Sequence, residues 1–460
     1  MQEQIKKIIL SPEKIFLLFS LLCGLIFVFL IPPFESPDEP AHFARTMGIA
    51  NGDFLPSKQA QSSGSYLPAN YTEMLKVAAQ NNSIDFLQFL PQKYSFSKAK
   101  KLAQFKDSGP KIFTDYANTA RYSPAAYLPQ STGVFISKLF TKTLLYQFLC
   151  ARIFNILFFV LLGFHTIKSL PFLKWAAILL LLAPMSMSLA SSVSADGVLI
   201  CCSALFFAKI LQYSYQDDLS IDTKQTLLLL FLSLLLALTK QSVLLCLFIF
   251  LIPAKKFKTF GLTSKILIFI FSIITAAIWS KFALSINVTL NNSDYPSHIS
   301  YIINHPINFL ILTLNYTPFF GNILITKGII GILGWLNVYF HNIFYSFYMI
   351  LILLNILYSL NGEYIKFPYL KTLSLLGIIA LNYIEICILV FCFWTPKNAF
   401  NYIAIPGRYL IPLLLPFLTF CIMLIKPKNT SYKLIIVNII FLVLSFAYIF
   451  LELTKIFYFQ

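Results

Sequence analysis

The chain has 460 residues, of which 58% are hydrophobic and 12% are charged, and its formal net charge at pH 7 is +17. Soluble globular proteins carry roughly a quarter charged residues, so this composition excludes an ordinary soluble domain and predicts a polytopic membrane protein. The positive charge does not indicate nucleic-acid binding, because Lys and Arg cluster in short loops between apolar runs, where membrane orientation accounts for them. The eight cysteines lie inside apolar segments and predict no disulfide framework.

Long apolar runs recur along nearly the whole chain, and each predicts a membrane-spanning α-helix. We expect an all-α fold, a polytopic transmembrane helical bundle of about 10–11 spans. Residues 1–32 contain an uncleaved first span, and residues 33–143 form a small cap on the outer face with juxtamembrane helices. Residues 144–460 form the multi-span transmembrane domain, with an outer loop near 284–330.

The polar stretch IPPFESPDEPAHFARTMGIANGDF directly follows the first span. Ser36 and Glu39 fit a capping box, which predicts a short helix with Ser36 as its N-cap. On that helix Asp38, Glu39, His42 and Arg45 project from one side, because they are three or four residues apart. One interpretation is that this face binds a divalent ion such as Mg²⁺ or Mn²⁺ through Asp38, Glu39 and His42, or positions a general base. The alternative is that the two carboxylates only complement the helix dipole and that His42 packs against lipid headgroups.

Three further segments place polar residues at the ends of predicted spans. Arg121 and Tyr122, in ARYSPAAYLPQ, form either a collar that binds sugar and phosphate or an ordinary aromatic belt. Asp196, in SSVSADGVL, caps a spanning helix, and a capping carboxylate can also face a polar cavity. Arg408, in GRYLIPLLLP, suits a phosphate oxygen, or else it snorkels beside Tyr409.

Residues 226–252 form an apolar block that is too long for one ordinary span and carries Lys240 at its centre. We predict a broken pair of short helices that meet near Lys240, whose partner is either the intramembrane Glu385 or an anionic lipid. Only a block that crosses twice or re-enters puts the lysine-rich short loops together on the cytoplasmic side. The outer face then carries Asp38, Glu39, Arg121, Asp196 and Arg408.

The ordered motifs SPDEPAHFARTMGIANG, RYSPAAYLPQSTG, SVSADGV, TK, GILGW and GRYLIPLLLP resemble a family of bacterial polytopic membrane proteins. That family is in turn similar to the GT-C superfamily of lipid-linked-sugar glycosyltransferases. The resemblance implies that Asp38, at the place of an acidic motif in the first outer loop, acts as base or metal ligand. It also implies cavity roles for Arg121, Tyr122, Asp196, Lys240 and Arg408. No second Asp-x-Asp motif follows in this chain.

This resemblance, together with the charged residues on the outer face, implies an enzyme that moves a sugar from a polyprenyl-phosphate donor to an envelope glycan, lipid or protein acceptor. The reaction takes place on the periplasmic or extracellular side of a bacterial inner membrane and inverts the anomeric centre. Asp38 is the expected base, Glu39 supports it, and a requirement for Mg²⁺ or Mn²⁺ stays open. Two alternatives also stay open: a transporter or flippase of a lipid-linked saccharide, gated by Lys240 and Glu385, and a non-catalytic scaffold.

Overall fold

A computed structural model of the protein describes residues 11–79, 91, 93–216, 218–240, 242–288, 293–315, 323–360, 368–403 and 405–459. These residues are mostly α-helical, with one small sheet. The predicted outer loop near 284–330 lies partly outside the described residues, at 289–292 and 316–322.

The amino-terminal part contains one long helix, a three-stranded sheet and several short helices. Its elements are α1 (Pro12–Leu30), α2 (Glu39–Ala50), β1 (Ser57–Gln59), β2 (Ser62–Pro68), α3 (Ala69–Ala79), α4 (Phe96–Leu102), β3 (Lys111–Asp115), α5 (Ala117–Ala120), a 3₁₀ turn (Pro124–Tyr127) and α6 (Leu128–Ser137).

The remainder of the chain is a helical bundle. Its elements are α7 (Leu144–Ser169), α8 (Lys174–Leu181), α9 (Pro184–Ala190), α10 (Ala195–Tyr215), α11 (Thr223–Leu238), a 3₁₀ helix (Val243–Leu251), a 3₁₀ turn (Ala254–Lys256), α12 (Gly261–Ser285), α13 (Tyr295–Asn304), α14 (Pro306–Asn315), α15 (Ile323–Ile330), α16 (Asn342–Leu357), α17 (Tyr369–Trp394), a 3₁₀ turn (Gly407–Leu410), α18 (Ile411–Leu424) and α19 (Tyr432–Phe457).

Within the described residues, seven helices are long and apolar enough to cross a membrane. They are α1, α7, α10, α12, α17, α18 with its preceding 3₁₀ turn, and α19. The described residues also contain three shorter apolar helices of 10–17 residues, α11, α14 and α16. The all-α, polytopic prediction is confirmed, and the number of about 10–11 spans stays a prediction.

The predicted break at Lys240 is confirmed. Helix α11 ends at Leu238, Lys240 adopts a left-handed backbone conformation with φ of 52°, and the 3₁₀ helix begins at Val243. A parallel β-bridge joins Ile221, just before α11, to Phe257, just after the 3₁₀ helix and the turn that follows it. The two ends of the broken pair that are far from Lys240 therefore lie side by side, and the chain runs from there to Lys240 and back.

The lysine-rich short loops meet at one end of the bundle. The backbone N–H of Leu173 donates to Ser359 O at 3.0 Å, and that of Leu360 donates to Lys428 O at 3.1 Å. The Lys371 ammonium, on the first turn of α17, lies 5.0 Å from the centroid of a Tyr ring at the end of α10. The opposite end carries the polar stretch that follows α1, and we call it the cap end.

The cap packs on the bundle through aromatic residues. Its three strands pair antiparallel in the order β1-β2-β3. The Phe34 and Phe43 rings lie 4.7 and 5.1 Å from the Phe148 ring of α7, measured between centroids. All three side chains are buried, so α7 fixes the position of helix α2. The predicted division into residues 33–143 and 144–460 stays a prediction, since this core is shared across it.

Helices α1 and α7 approach closely because two glycines lie at their contact. A Cβ added at Gly163 would lie 2.3 Å from the Phe16 ring, and one added at Gly24 would lie 2.5 Å from the Ile156 side chain. Small residues at such contacts let spanning helices pack closely. This contact brings the end of α1 beside α7, where the site begins.

Candidate functional site

Helix α2 begins later than the capping box predicts. Its first residue is Glu39, and Asp38 occupies the N-cap position with a left-handed backbone, φ 58°, and no side-chain cap hydrogen bond. The Ser36 hydroxyl is buried without a hydrogen-bond partner among the described residues. The predicted capping box is therefore wrong, because the Glu39 carboxylate is bound elsewhere and does not reach back to Ser36.

Glu39 forms a fully buried ion pair with Arg152 of α7. Arg152 Nε donates to Glu39 Oε1 at 2.8 Å and Nη2 donates to Oε2 at 2.7 Å, while both side chains are 0% exposed. The same carboxylate accepts the backbone N–H of Phe34 at 3.1 Å and that of Val193 at 2.9 Å. Glu39 thus joins α2, α7 and the loop before Asp196.

Arg152 also ties the end of α1 to this pair. Its guanidinium donates to the carbonyl oxygens of Val28, Ile31 and Pro32 at 2.9, 2.7 and 3.1 Å. These carbonyls lie at a helix C-terminus, where the backbone leaves acceptors unpaired. The sequence analysis missed Arg152, although an arginine within an apolar span was a usable signal.

Four charged side chains from distant parts of the chain form one cluster. Arg408 Nη2 donates to Asp38 Oδ2 at 3.1 Å, and Arg408 Nε lies 3.7 Å from Asp196 Oδ2. The Lys240 ammonium forms an ion pair with Asp196 Oδ1. Asn118 Nδ2 donates to the other oxygen of Asp38 at 3.1 Å. We call Asp38, Asp196, Lys240 and Arg408 the charged cluster.

The partner of Lys240 is Asp196, and not Glu385 as the first sequence alternative proposed. Two tyrosine rings enclose the ammonium, with Nζ 5.2 Å from the Tyr122 centroid and 4.8 Å from the Tyr409 centroid. Such cation–π contacts stabilise a desolvated ammonium group. Lys240 is therefore held at the apex of the broken pair by α10 on one side and by aromatic rings on the other.

Arg408 makes fewer hydrogen bonds to the described residues than its guanidinium allows, although its Nε atom lies in the ion-pair contact with Asp196. Its side chain is 7% exposed, and its Nε and Nη1 atoms are buried without a hydrogen-bond partner in the part of the chain that the structure describes. A buried guanidinium normally makes several charge-assisted hydrogen bonds, and unmet buried donors cost free energy. Phosphate and carboxylate oxygens have the geometry that fills such a fork.

A cavity of about 300 Å³ opens beside the charged cluster and includes three of its members, Asp196, Lys240 and Arg408. Asp38 does not line the cavity, but it contacts Arg408, which is one of the lining residues. The polar and aromatic lining residues include Arg121, Tyr122, Asp196, Lys240, Ser242, Ser280, Asn287, Tyr295, Asn382, Glu385, Phe393, Trp394, Arg408 and Tyr409.

His42 lies between the cluster and the cap. Its ring stacks on Tyr122, with centroids 6.3 Å apart and an interplanar angle of 14°. Its Nδ1 atom and the Tyr127 hydroxyl share a hydrogen bond of 2.7 Å. Burial lowers the pKa of His42 from 6.5 to about 4, although the Asp38 carboxylate acts in the opposite direction. The imidazole is therefore neutral at pH 7.

Two predicted site residues lie away from the charged cluster or at its margin. Arg45 donates to the backbone oxygens of Asp53 and Phe54 at 3.3 and 2.8 Å and so closes the loop after α2. Arg121 lines the cavity, where its guanidinium carbon lies 4.7 Å from the Phe393 centroid and 5.5 Å from the Trp394 centroid. Arg45 is thus structural here, while Arg121 belongs to the cavity wall.

The proposed metal ligands do not converge in the described residues. Both oxygens of Glu39 face Arg152, and His42 Nδ1 is bonded to Tyr127. Within the described ranges, no group of three or more His, Cys, Asp or Glu side chains is placed to hold a metal ion. The present arrangement therefore does not fit the Asp38–Glu39–His42 set, and the need for Mg²⁺ or Mn²⁺ stays a prediction.

Comparison with known proteins gives one family. A family model described as "Predicted membrane protein (DUF2142)" matches residues 21–417. The chain belongs to this family. No curated protein and no solved structure matches the chain.

The matched part of this DUF2142 protein contains the whole site. It runs from within α1 to the middle of α18 and so includes all four members of the charged cluster. It also includes Arg152, Glu385 and the broken pair around Lys240. The description of the family states only that its members are predicted membrane proteins, and it names no reaction.

Proposed function

We propose that this protein is a membrane glycosyltransferase that takes a sugar from a polyprenyl-phosphate donor. The single observation that carries the proposal is Arg408, a buried guanidinium at the wall of a cavity whose Nε and Nη1 atoms lack a hydrogen-bond partner among the described residues. A phosphate group supplies the oxygens that these atoms lack. The GT-C-like order of motifs in the sequence supports the same reading, as an analogy.

The donor phosphate binds between Arg408 and Lys240. In the charged cluster the two cations are balanced by Asp38 and Asp196, so a phosphate does not enter a strongly positive site. The phosphate competes instead with Asp38 for Arg408. Among the described carboxylates, Asp38 is the one that accepts a hydrogen bond from Arg408, through Nη2. Donor binding therefore frees the Asp38 carboxylate.

Asp38 then acts as the general base. It is the more accessible of the two cluster carboxylates, with its side chain 28% exposed compared with 7% for Asp196. It takes the proton of the acceptor hydroxyl while the acceptor oxygen bonds to the anomeric carbon. The bond from that carbon to the phosphate oxygen breaks, and the electron pair leaves with the polyprenyl phosphate, whose charge Arg408 and Lys240 stabilise. Attack opposite the leaving group inverts the anomeric centre.

The proposed reaction takes place at the cap end, on the outer side of a bacterial inner membrane. The lysine-rich loops at the opposite end support this orientation, because short cytoplasmic loops carry excess Lys and Arg. The polyprenyl tail stays among membrane lipids, and the acceptor is an envelope glycan, lipid or protein. No step requires a metal ion or a nucleic acid.

The test is direct detection of the donor on the purified protein. We expect mass spectrometry of lipid extracts to show a polyprenyl-phosphate sugar that co-purifies with the wild type. Arg408→Lys keeps the charge but loses the planar fork, so the retained donor should fall about tenfold or more, while purification yield changes little. The matched control is Lys397→Gln, which removes an exposed cation paired with Asp294 at 3.3 Å.

Two results would count against the proposal. Equal donor retention by Arg408→Lys and wild type would reduce Arg408 to a structural residue. Movement of an intact lipid-linked saccharide across the bilayer of proteoliposomes, without sugar transfer, would favour the transporter or flippase alternative.

A further inference from the structure

The cavity continues from the charged cluster along one face of α17. Asn382, Glu385, Leu389 and Phe393 all line it and are spaced three or four residues apart, so they form one stripe. At 1.5 Å per residue, the stretch from Trp394 back to Asn382 measures about 18 Å. The cavity therefore extends from the cap end into the membrane-spanning part of the bundle.

Glu385 is a carboxyl group at membrane depth that faces this cavity. It lies nine residues before the end of α17, about 14 Å from the level of Trp394. It makes no hydrogen bond or ion pair within the residues that the structure describes. Ionisable side chains inside a membrane are costly and normally serve a ligand or a pathway. The proposed transfer step involves Asp38, Arg408 and Lys240 and gives Glu385 no role.

A second polar group lies one turn away on the same wall. The Asn382 amide nitrogen donates to the backbone oxygens of Leu244 and Ile378 at 3.2 and 2.9 Å. These bonds fix the side chain and leave its carbonyl oxygen as an acceptor. The wall thus offers a carboxyl and an amide oxygen, a pair suited to hydroxyl groups on a ring.

The size of the cavity limits the ligand. Its volume of about 300 Å³ lies at the lower end of the range for small-molecule sites, roughly 300–1,000 Å³. One sugar ring with its phosphate suits that volume, whereas an oligosaccharide exceeds it. Arg408 and Lys240 lie in the charged cluster, whereas Glu385 lies on α17, so a ligand with a phosphate at one end and hydroxyl groups at the other is complementary to the cavity.

We infer that Glu385 and Asn382 bind the hydroxyl groups of the donor sugar, and that the donor carries a single monosaccharide. This inference rests on the proposed function and names its substrate class. The Glu385 carboxyl and the Asn382 amide oxygen hydrogen-bond to the sugar ring while the phosphate lies at Arg408 and Lys240. Glu385 is therefore a specificity-determining residue, and it takes no part in proton transfer.

The test compares binding of three synthetic short-chain lipid phosphates to the protein in nanodiscs. One carries glucose, one carries a disaccharide of glucose and one carries no sugar. We expect the wild type to bind the glucosyl lipid about tenfold more tightly than the sugar-free lipid, and to bind the disaccharide lipid no more tightly than the glucosyl lipid. Glu385→Ala should reduce the glucosyl-to-sugar-free ratio to about threefold or less. Glu385→Gln, which keeps size and hydrogen bonding, should retain most of that ratio.

Binding of the sugar-free lipid phosphate reports whether each variant is folded and whether the anion site is intact. It should be equal in the wild type, both Glu385 variants and the control Glu452→Gln, which alters a carboxylate on α19 paired with Lys455. A glucosyl-to-sugar-free ratio in Glu385→Ala equal to that of the wild type, or tighter binding of the disaccharide lipid, would overturn the inference alone. Failure of the wild type to bind any of the three lipids would overturn the proposed function as well.

Discussion

Asp38 and Lys240 both have left-handed backbone conformations, with φ of 58° and 52°. This conformation costs a non-glycine residue roughly 1–2 kcal/mol. The contacts of Lys240 with Asp196 and two tyrosine rings hold it there. Strained residues of this kind concentrate at functional sites, which agrees with the placement of both in the charged cluster.

The role of Asp38 can be tested by a minimal change. Asp38→Asn keeps the shape and an oxygen that accepts from Arg408, but it removes the proton acceptor. We expect the rate of sugar transfer to fall about 10²–10⁴-fold with little change in purification yield. Initial rates with a radiolabelled donor in proteoliposomes measure the effect, and Glu73→Gln, an exposed carboxylate on α3, is the control. Full activity of Asp38→Asn would exclude Asp38 as the base.

The neutral state of His42 makes stability depend on pH. Its folded pKa of about 4 lies below the unfolded value near 6.5, so at intermediate pH the unfolded chain binds more protons. As pH falls from about 6.5 to about 4, the free energy of unfolding should lose about 3 kcal/mol through this group. Thermal unfolding in detergent, compared with His42→Gln, isolates the effect from carboxylates that titrate in the same range. Identical pH profiles for the two proteins would contradict a buried neutral imidazole.

At the scale of elements, the Glu39–Arg152 pair joins the end of α1, the start of α2, helix α7 and the loop that leads into α10. Glu39 adjoins Asp38, and the N–H that it accepts at Val193 lies three residues before Asp196. One buried contact therefore sets the separation of the two loops that carry the cluster carboxylates. Both partners are positioning residues for the site.

Removing one partner of this pair should destabilise the protein strongly. Glu39→Gln leaves the Arg152 charge buried without a counter-charge, which costs about 3–5 kcal/mol. The control is Lys76→Gln on α3: this lysine pairs with Glu73 at 2.8 Å and both side chains are exposed, so its loss should cost about 1 kcal/mol or less. Thermal unfolding measures both. Similar melting temperatures for Glu39→Gln and Lys76→Gln would show that the buried pair does not organise the site.

For the whole molecule, the sequence predicts that the cap end is outside and the lysine-rich end is cytoplasmic. Single cysteines at Gln61 in the cap and Lys258 beside the lysine-rich loop are both at exposed positions. In intact cells, a membrane-impermeant thiol reagent should label Gln61→Cys and leave Lys258→Cys unlabelled until the cells are lysed. The unmodified protein controls for its own cysteines. The reverse pattern would invert the topology and place the charged cluster on the cytoplasmic side.

Several properties of this protein depend only on local composition and could be predicted without the structure. Hydropathy along the chain indicates the helical spans. The apolar block 226–252 is too long for one span and has Lys240 at its centre, which predicted the break that the structure confirms. Loop charge predicted that lysine-rich loops would share one end. It also predicted that Asp38, Asp196 and Arg408 lie on the same face of the membrane, because each adjoins the outer end of a predicted span.

The packing of the helices, and not any sequence pattern, sets which of these charges are partners. Lys240 pairs with Asp196 and not with Glu385, and Glu39 pairs with Arg152, which no local pattern had singled out. The paired residues are 44 and 113 positions apart in the chain. Hydropathy and helical periodicity report only on neighbouring residues, whereas the packing of whole helices sets which faces meet. The local signals therefore determine the spans, and the helix contacts determine the site.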